Sequence, residues 1–200
     1  MVLPGICLPI NIKKRAIIIL ALFFISGCAG RIDNSAAKDE IISNHHKGHY
    51  IKDVPFIPQE ELYCGPASLA MVLNFYGFKI TQEEIAKEIY MPKLKGTLNI
   101  DLLTFAKQKG FAAKYYIGNL DDLKANISRN MPVILFVDLG YDFYPVRHYM
   151  AAIGFDHEKG IIIAHSGKER DKIFSNKELL KVWEKTSFGT LLITPPEIGM

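Results

Sequence analysis

A lone cysteine stands at the head of an apolar, helix-like run, where its position suits a nucleophile. Cys64 directly precedes Gly65 and Pro66, so its sulfur would lie at a helix N-terminus. Unpaired N–H groups and the helix macrodipole favour negative charge there, and the thiolate is the reactive form of cysteine. The alternative is a buried structural cysteine, since free cysteine is among the most buried residue types. The helix alone leaves both interpretations open.

Two other residues have the chemistry to complete a nucleophilic site, because a nucleophile needs a base and a donor for the oxyanion. Of the six histidines, His148 opens an apolar, strand-like run after an aromatic loop, which makes it the candidate base. Gln59, five residues before Cys64, can donate a hydrogen bond from its side-chain amide. The alternatives are a hydrogen-bonded structural histidine and an exposed loop glutamine.

The first 27 residues have the pattern of an export signal. Three basic residues, 13–15, precede ten apolar residues, 16–25, and small residues follow. Ten apolar residues are too few to span a bilayer, so the alternative is a buried strand or helix at the start of the fold. We predict a signal peptide over residues 1–27.

The end of this segment, Ile-Ser-Gly-Cys at 25–28, resembles the lipobox of bacterial lipoproteins. The resemblance implies that the signal is cut before Cys28 and that acyl chains on this cysteine anchor the protein to a membrane. Ala29 is not the aspartate that often signals retention in the inner membrane. We therefore expect a protein of the cell envelope, anchored in the outer membrane and facing the periplasm.

The cysteine and charge counts narrow the function further. Cys7 lies in the signal and Cys28 would be acylated, so Cys64 is the only free thiol left and cannot form an internal disulfide. The chain has 24 basic and 21 acidic residues, and three of the basic ones belong to the signal. The remaining charges balance, which gives no electrostatic footprint for nucleic acid.

Residues 28–49 are polar and rich in small side chains, which predicts a flexible tether. His45, His46 and His49 lie close together in this segment and are possible metal ligands. No acidic or cysteine partner is adjacent, so we expect a solvated tether and no metal site. The folded domain is predicted to comprise residues 50–200.

The first half of this domain has helical signals. Residues 65–76 are apolar on all sides, as in a central buried helix. A capping box from Thr81 to Glu84 opens a second helix that extends to residue 90. Further helices are predicted over 99–109 and 120–128.

The second half changes to short apolar runs bounded by turn residues, which predict buried strands. The predicted strands are 132–139, 148–155, 160–166 and 190–195. A last helix is capped at Ser175 and extends to residue 185. Helices first and strands later predict one α+β domain, with helices packed against an antiparallel sheet.

Taken together, these motifs resemble the bacteriocin-processing type of papain-like cysteine peptidase. The resemblance rests on Gln59 five residues before Cys-Gly-Pro-Ala at 64–67, an apolar helix ending in Tyr-Gly, and His-Tyr opening an apolar strand that ends in Gly-Phe-Asp. It covers residues 54–166. It implies the papain-like fold, with an N-terminal helical part packed on an antiparallel β-sheet. Such peptidases form the front domain of transporters that cut leader peptides after double glycine, and related domains stand alone.

The resemblance also implies roles for the candidate residues. Cys64 would attack a peptide carbonyl, and His148 would take its proton and later protonate the leaving amine. Gln59 would stabilise the oxyanion together with the backbone N–H of Cys64.

One position departs from the family pattern. The aspartate or asparagine that usually orients the histidine is missing, and His165 stands in its place with Ser166 beside it. We expect His165 to take the orienting role, with Ser166 as the alternative and Asp156 less favoured. Neither an imidazole nor a hydroxyl supplies the negative charge that stabilises an imidazolium.

The sequence therefore predicts a membrane-anchored cysteine peptidase that acts on peptides or small proteins and needs no cofactor or metal. One alternative is a peptide-binding pseudo-peptidase of the same fold, favoured by the missing acid. Another is a cell-wall amidase or endopeptidase of a different papain-like family. The separation of 84 residues between Cys64 and His148, with Gln59 just upstream, favours the first interpretation. Without transporter spans or a nucleotide-binding loop, leader cutting would require an export-machinery partner.

Overall fold

The computed structural model describes residues 47–195 together with Asp39. The predicted signal peptide, the predicted lipid anchor at Cys28 and most of the predicted tether, including His45 and His46, lie outside the described residues. In the part that is described, no helix is both long enough and apolar enough to cross a membrane.

Every helix and strand that the sequence pattern predicts is present, within one residue of its predicted bounds. The helices are α1 (Cys64–Phe75), α2 (Gln82–Ile89), α3 (Asn99–Gln108), α4 (Leu120–Ser128) and α5 (Asn176–Glu184). The strands are β1 (Gly48–Tyr50), β2 (Ala112–Ile117), β3 (Val133–Asp138), β4 (Arg147–Asp156), β5 (Ile161–Ser166), β6 (Glu169–Ser175) and β7 (Gly189–Thr194).

The strands form one antiparallel sheet in the order β2-β7-β3-β4-β5-β6, and β1 pairs with the end of β4. The sequence pattern did not predict β1, β2 or β6. Strands β2 and β6 lie at the two edges of the sheet, where polar residues weaken the apolar signal. The predicted tether ends too late, because Gly48 and His49 pair through their backbone with Asp156 and Phe155.

Helices cover both faces of the sheet. Val133, Leu135 and Val137 of β3 belong to one apolar cluster, which also contains residues of α4 and α5. Ile134 and Phe136, the alternating residues, pack in a second cluster with α1, α2 and α3. Because side chains alternate along a strand, these two clusters lie on opposite faces. The predicted α+β class is confirmed, with two helical layers rather than one.

Helix α1 is the central helix of this arrangement, as predicted. Residues 65–73 are all buried, and the helix contacts β3, β4 and β5. An amphipathic surface helix would leave one side in solvent, whereas this helix is enclosed on all sides. Its enclosure holds Cys64, its first residue, against the start of β4.

Candidate active site

Cys64 is a free thiol at the first position of α1. Burial raises the pKa of this thiol above its ordinary value, although backbone N–H groups of Tyr149, Gly65 and Cys64 itself donate to the sulfur and lower it. The helix N-terminus therefore favours the thiolate as expected, but burial disfavours it more strongly. The N–H groups are present, but the loss of solvent outweighs them, and the resting side chain is a neutral thiol.

His148 is the second residue of β4, opposite Val137 of β3, and its side chain is buried. Burial, and secondly the positive charge of Lys172, lower the pKa of this imidazole to about 4. Its Nε2 lies 3.0 Å from Ser166 Oγ. If Nε2–H donates to this hydroxyl, the neutral ring keeps its lone pair on Nδ1, which is the tautomer that a base requires.

Ser166, rather than His165, contacts the candidate base. His165 is fully buried, and its Nε2 lies 3.3 Å from the carbonyl oxygen of Val54. Its Nδ1 accepts a hydrogen bond from the Asp171 N–H at 3.2 Å. The prediction that His165 orients His148 is corrected, because neighbouring residues of a strand point to opposite faces and an irregularity between Ala164 and Ser166 shifts the register there.

Asp156 lies at the other end of the strand that carries His148. Eight residues of extended chain separate the two, a distance of roughly 26 Å at about 3.3 Å per residue. Its Oδ1 accepts a hydrogen bond from the Lys159 N–H at 2.9 Å, which stabilises the turn between β4 and β5. Asp156 therefore has a structural role in this turn.

Gln59 reaches the same turn as Ser166. Its backbone N–H donates to the carbonyl oxygen of Gly167 at 3.1 Å. A Cβ added to Gly167 would lie 3.7 Å from Gln59 Oε1 and 3.9 Å from His148 Cε1, so the amide and the ring flank this glycine. Within residues 47–195 the side-chain amide of Gln59 makes no hydrogen bond, and its Oε1 is buried without a partner.

Gln82 fixes the segment around Gln59, a contact that sequence reasoning missed. Its Nε2 donates to the Pro58 carbonyl at 3.1 Å, and its Oε1 accepts from the Glu60 N–H at 3.0 Å. The only sequence signal at this position is the capping box that contains it. Between Gln59 and Cys64, Leu62 adopts the left-handed backbone with φ of 67°, an unfavourable conformation for a bulky residue.

The structure thus brings the three principal candidates to one location. Cys64 lies beside the peptide unit of Tyr149, the residue that follows His148, and Gln59 approaches the His148 ring at Gly167. In the described part of the chain no hydrogen bond joins the Cys64 sulfur to the His148 ring. The same residues hold no cluster of three or more metal-ligating side chains. His49, one of the tether histidines, contacts Asn130 instead.

A central helix that begins at a cysteine, packed on an antiparallel sheet that carries a histidine at the start of a strand, is the arrangement of the papain-like cysteine peptidase fold. The model of the Peptidase C39 like family matches residues 51–191. The chain belongs to this family. The predicted resemblance to the bacteriocin-processing peptidases is therefore confirmed at the level of family and fold.

Solved structures of several related domains have the same fold. The peptidase domain of Streptococcus ComA, a bi-functional ABC transporter involved in a quorum sensing pathway, is 19% identical, with a TM-score of 0.58 over 71% of this chain and 98% of that one. A putative C39-like peptidase from Bacillus anthracis is 16% identical, with a TM-score of 0.61 over 74% and 98%.

A third structure includes a bound peptide. It is a double glycine motif protease from an AMS/PCAT transporter in complex with the leader peptide. It is 24% identical, with a TM-score of 0.59 over 74% of this chain and 94% of that one. No curated protein sequence matches the chain.

Proposed function

We propose that this protein is a cysteine peptidase of the cell envelope, with Cys64 as nucleophile, His148 as base and Gln59 as oxyanion donor. The observation that carries the proposal is that the Cys64 sulfur contacts the backbone of Tyr149, next to His148, while the Gln59 amide and the His148 ring flank Gly167. The donor in this role is the side-chain Nε2 of Gln59, for which the described part of the chain shows no hydrogen-bond partner.

The two pKa directions favour a general-base mechanism over a resting ion pair. The thiol is neutral because its pKa is raised, and the imidazole is neutral because its pKa is lowered to about 4. As the Cys64 sulfur attacks the peptide carbonyl, its proton passes to His148 Nδ1, which later delivers it to the leaving amine. The contact between sulfur and ring forms when substrate binds, since catalytic hydrogen bonds are often long in free enzymes.

The site stabilises the imidazolium formed in this step only weakly. Ser166 accepts a hydrogen bond from the ring but carries no charge, and Lys172 disfavours a second positive charge nearby. This arrangement also favours a second candidate function, a peptide-binding pseudo-peptidase of the same fold. The two candidates differ in whether peptide bonds are cut.

A digest of a random peptide library by the mature chain tests the proposal. We expect products with the wild type and none with Cys64→Ala. Gln59→Ala should lower the rate by about 10²–10³-fold, the usual cost of losing one oxyanion donor. His157→Gln, an exposed histidine at the far end of β4, is the matched control and should cut normally. Binding of peptides with no cleavage by the wild type would support the pseudo-peptidase.

The membrane location is a separate part of the proposal, which rests on the lipobox-like sequence at Cys28. We expect a lipoprotein of the outer membrane, facing the periplasm, that receives its peptide from an export-machinery partner. Metabolic labelling with a tagged fatty acid checks the anchor. The wild type should incorporate label and Cys28→Ala should not, and label that survives this substitution would contradict the assignment.

A further inference from the structure

A cavity of about 300 Å³ is lined in part by Cys64. Its walls are the segment 94–99, Phe136, Arg147 and Tyr149. The volume is at the lower end of the range of ligand pockets, about 300–1,000 Å³, which suits one or two side chains of a peptide rather than a large ligand.

The charged side chains of this cavity are all positive. Lys95 and Arg147 line it, and no aspartate or glutamate does. Within residues 47–195, neither cation lies within 4.0 Å of a carboxylate, although several other lysine and arginine side chains do. Two unpaired cations in the wall of a cavity attract an anionic group of the ligand.

The wall also includes apolar surface and a buried hydroxyl that makes no hydrogen bond. Leu94, Leu98 and Phe136 supply apolar surface, which can pack against the aliphatic part of a side chain. Thr97 Oγ1 is buried without a partner, and a Cβ added to Gly65 would lie 2.2 Å from it. The hydroxyl therefore lies against the start of α1, close to the nucleophile.

The cavity is preformed rather than assembled from a loose loop. Met91 N–H donates to the Gly96 carbonyl at 2.9 Å, and the backbone at Lys95 is left-handed with φ of 51°. The Tyr149 hydroxyl donates to Asn99 Oδ1 at 2.5 Å, and the Tyr149 ring stacks on Phe136. These contacts hold both sides of the cavity in place before a ligand binds.

We propose that this cavity selects peptides that carry a carboxylate next to the scissile bond, with Lys95 and Arg147 as the specificity-determining residues. The aliphatic stem of a glutamate packs on the apolar wall while its carboxylate pairs with the two cations. A free C-terminal carboxylate offers the same charge and is the other source of this group. The proposal rests on the proposed peptidase function and narrows its substrate class.

The first experiment reads the cut sites of a random peptide library by mass spectrometry. With the mature wild-type chain, acidic residues should be enriched at one position within two residues of the cut bond. Both cations are exposed to solvent, and the double variant Lys95→Gln/Arg147→Gln should reduce this enrichment about tenfold, the combined effect of two exposed ion pairs. Lys93→Gln, in the same turn but outside the cavity, should preserve it.

A pair of libraries separates the two sources of carboxylate. One library ends in free carboxylates and the other in C-terminal amides. Enrichment of internal glutamate or aspartate in both libraries indicates a side-chain carboxylate. Cutting that is confined to the ends of free-acid peptides indicates the terminal carboxylate. Either result supports carboxylate recognition, and equal cutting of both libraries without acidic enrichment overturns it.

A binding experiment separates failure of this inference from failure of the proposed function. The same libraries are passed over immobilised Cys64→Ala protein, and the retained peptides are sequenced. Acidic peptides retained through Lys95 and Arg147, with no cutting by the wild type, would support the cavity and refute the peptidase. Cutting or retention without acidic preference would overturn the cavity proposal alone. No retention and no cutting would overturn both.

Discussion

His148 on β4 and His165 on β5 are both buried, but their surroundings differ. His165 has a protein partner on each ring nitrogen, the Val54 carbonyl on Nε2 and the Asp171 N–H on Nδ1. In the described part of the chain, His148 has a partner on Nε2 alone, the hydroxyl of Ser166. Burial therefore does not distinguish a functional histidine from a structural one, whereas a ring nitrogen without a protein partner does.

The contacts around His165 explain what its burial achieves. Asp171 of β6 accepts a hydrogen bond from the Tyr50 hydroxyl at 2.7 Å, and Phe56 packs edge-on against the His165 ring. The histidine thus joins the segment before α1 to β1 and β6. Both ring nitrogens of His165 are therefore occupied by contacts that hold the fold together.

The largest expected effect comes from exchanging each histidine for glutamine. His148→Gln should lower the rate of peptide cleavage about 10²–10⁴-fold, the range for loss of a general base, and leave the protein folded. His165→Gln should instead lower the free energy of unfolding by about 1–3 kcal/mol, since buried hydrogen-bonding groups lose their partners. Steady-state kinetics and denaturant unfolding measure the two.

The opposite pattern of effects would contradict the assignment of a catalytic role to His148 and a structural role to His165. A His148→Gln variant with normal kcat would remove the base from the mechanism. Conversely, His165→Gln protein that folds with wild-type stability but no longer cuts would restore the orienting role that the sequence predicted for it.

The difference between these histidines marks the limit of what the sequence could predict. Residue types and spacing nominate Gln59, Cys64 and His148 as candidates, because the helix start and the strand start are local patterns. They could not decide between His165 and Ser166, since a shift of one residue in a strand exchanges its two faces. Burial at Cys64 was also beyond reach, because tertiary packing sets it.

The fold was predictable for the same reason, and there is a physical cause for the strands that the sequence did not predict. Buried strands and capped helices have local apolar periodicity, so their bounds follow from the sequence. Edge strands β2 and β6 expose polar residues, and their pairing depends on neighbours distant in the chain. Gln82 was missed likewise, because its contacts with Pro58 and Glu60 join segments more than twenty residues apart.

The pH dependence of stability should distinguish the two histidines next. The pKa of His148 is about 4 in the folded state and about 6.5 when unfolded, so the unfolded state binds the proton more tightly. Its contribution is fully present above pH 6.5 and is lost as the pH falls towards 4, on the order of 3 kcal/mol in total. Between pH 4 and 7, the free energy of unfolding of His148→Gln should therefore change less with pH than that of the wild type.

His157→Gln provides the matched control for this measurement, because His157 is exposed to solvent. The stability of this variant should decrease as the pH falls, as steeply as that of the wild type. A His148→Gln variant with an undiminished slope between pH 4 and 6.5 would show that another group accounts for the pH dependence.

Ser166 should have a smaller effect on catalysis. Ser166→Ala removes the acceptor for His148 Nε2–H, and the loss of one such hydrogen bond costs about 1–1.5 kcal/mol, or roughly tenfold in kcat. Ser166→Asp places a negative charge beside the ring and should raise the pKa of His148 above 4. The imidazole proton signals in an NMR titration measure this pKa. Equal kcat in the wild type and Ser166→Ala would exclude an orienting role.

Substitution of Lys172 is expected to have the smallest effect, a change in the pKa of His148. Its positive charge contributes to the lowered pKa of His148, after burial, and its ammonium is itself paired with Glu169 Oε1 at 2.6 Å. Lys172→Gln should raise the pKa of His148 from about 4, and Glu169→Gln should lower it, because the unpaired lysine then acts on the ring at full strength. Lys168→Gln, an exposed neighbour, is the control. Shifts of the same sign in the Lys172 and Glu169 variants would mean that altered packing, rather than charge, sets the pKa of this histidine.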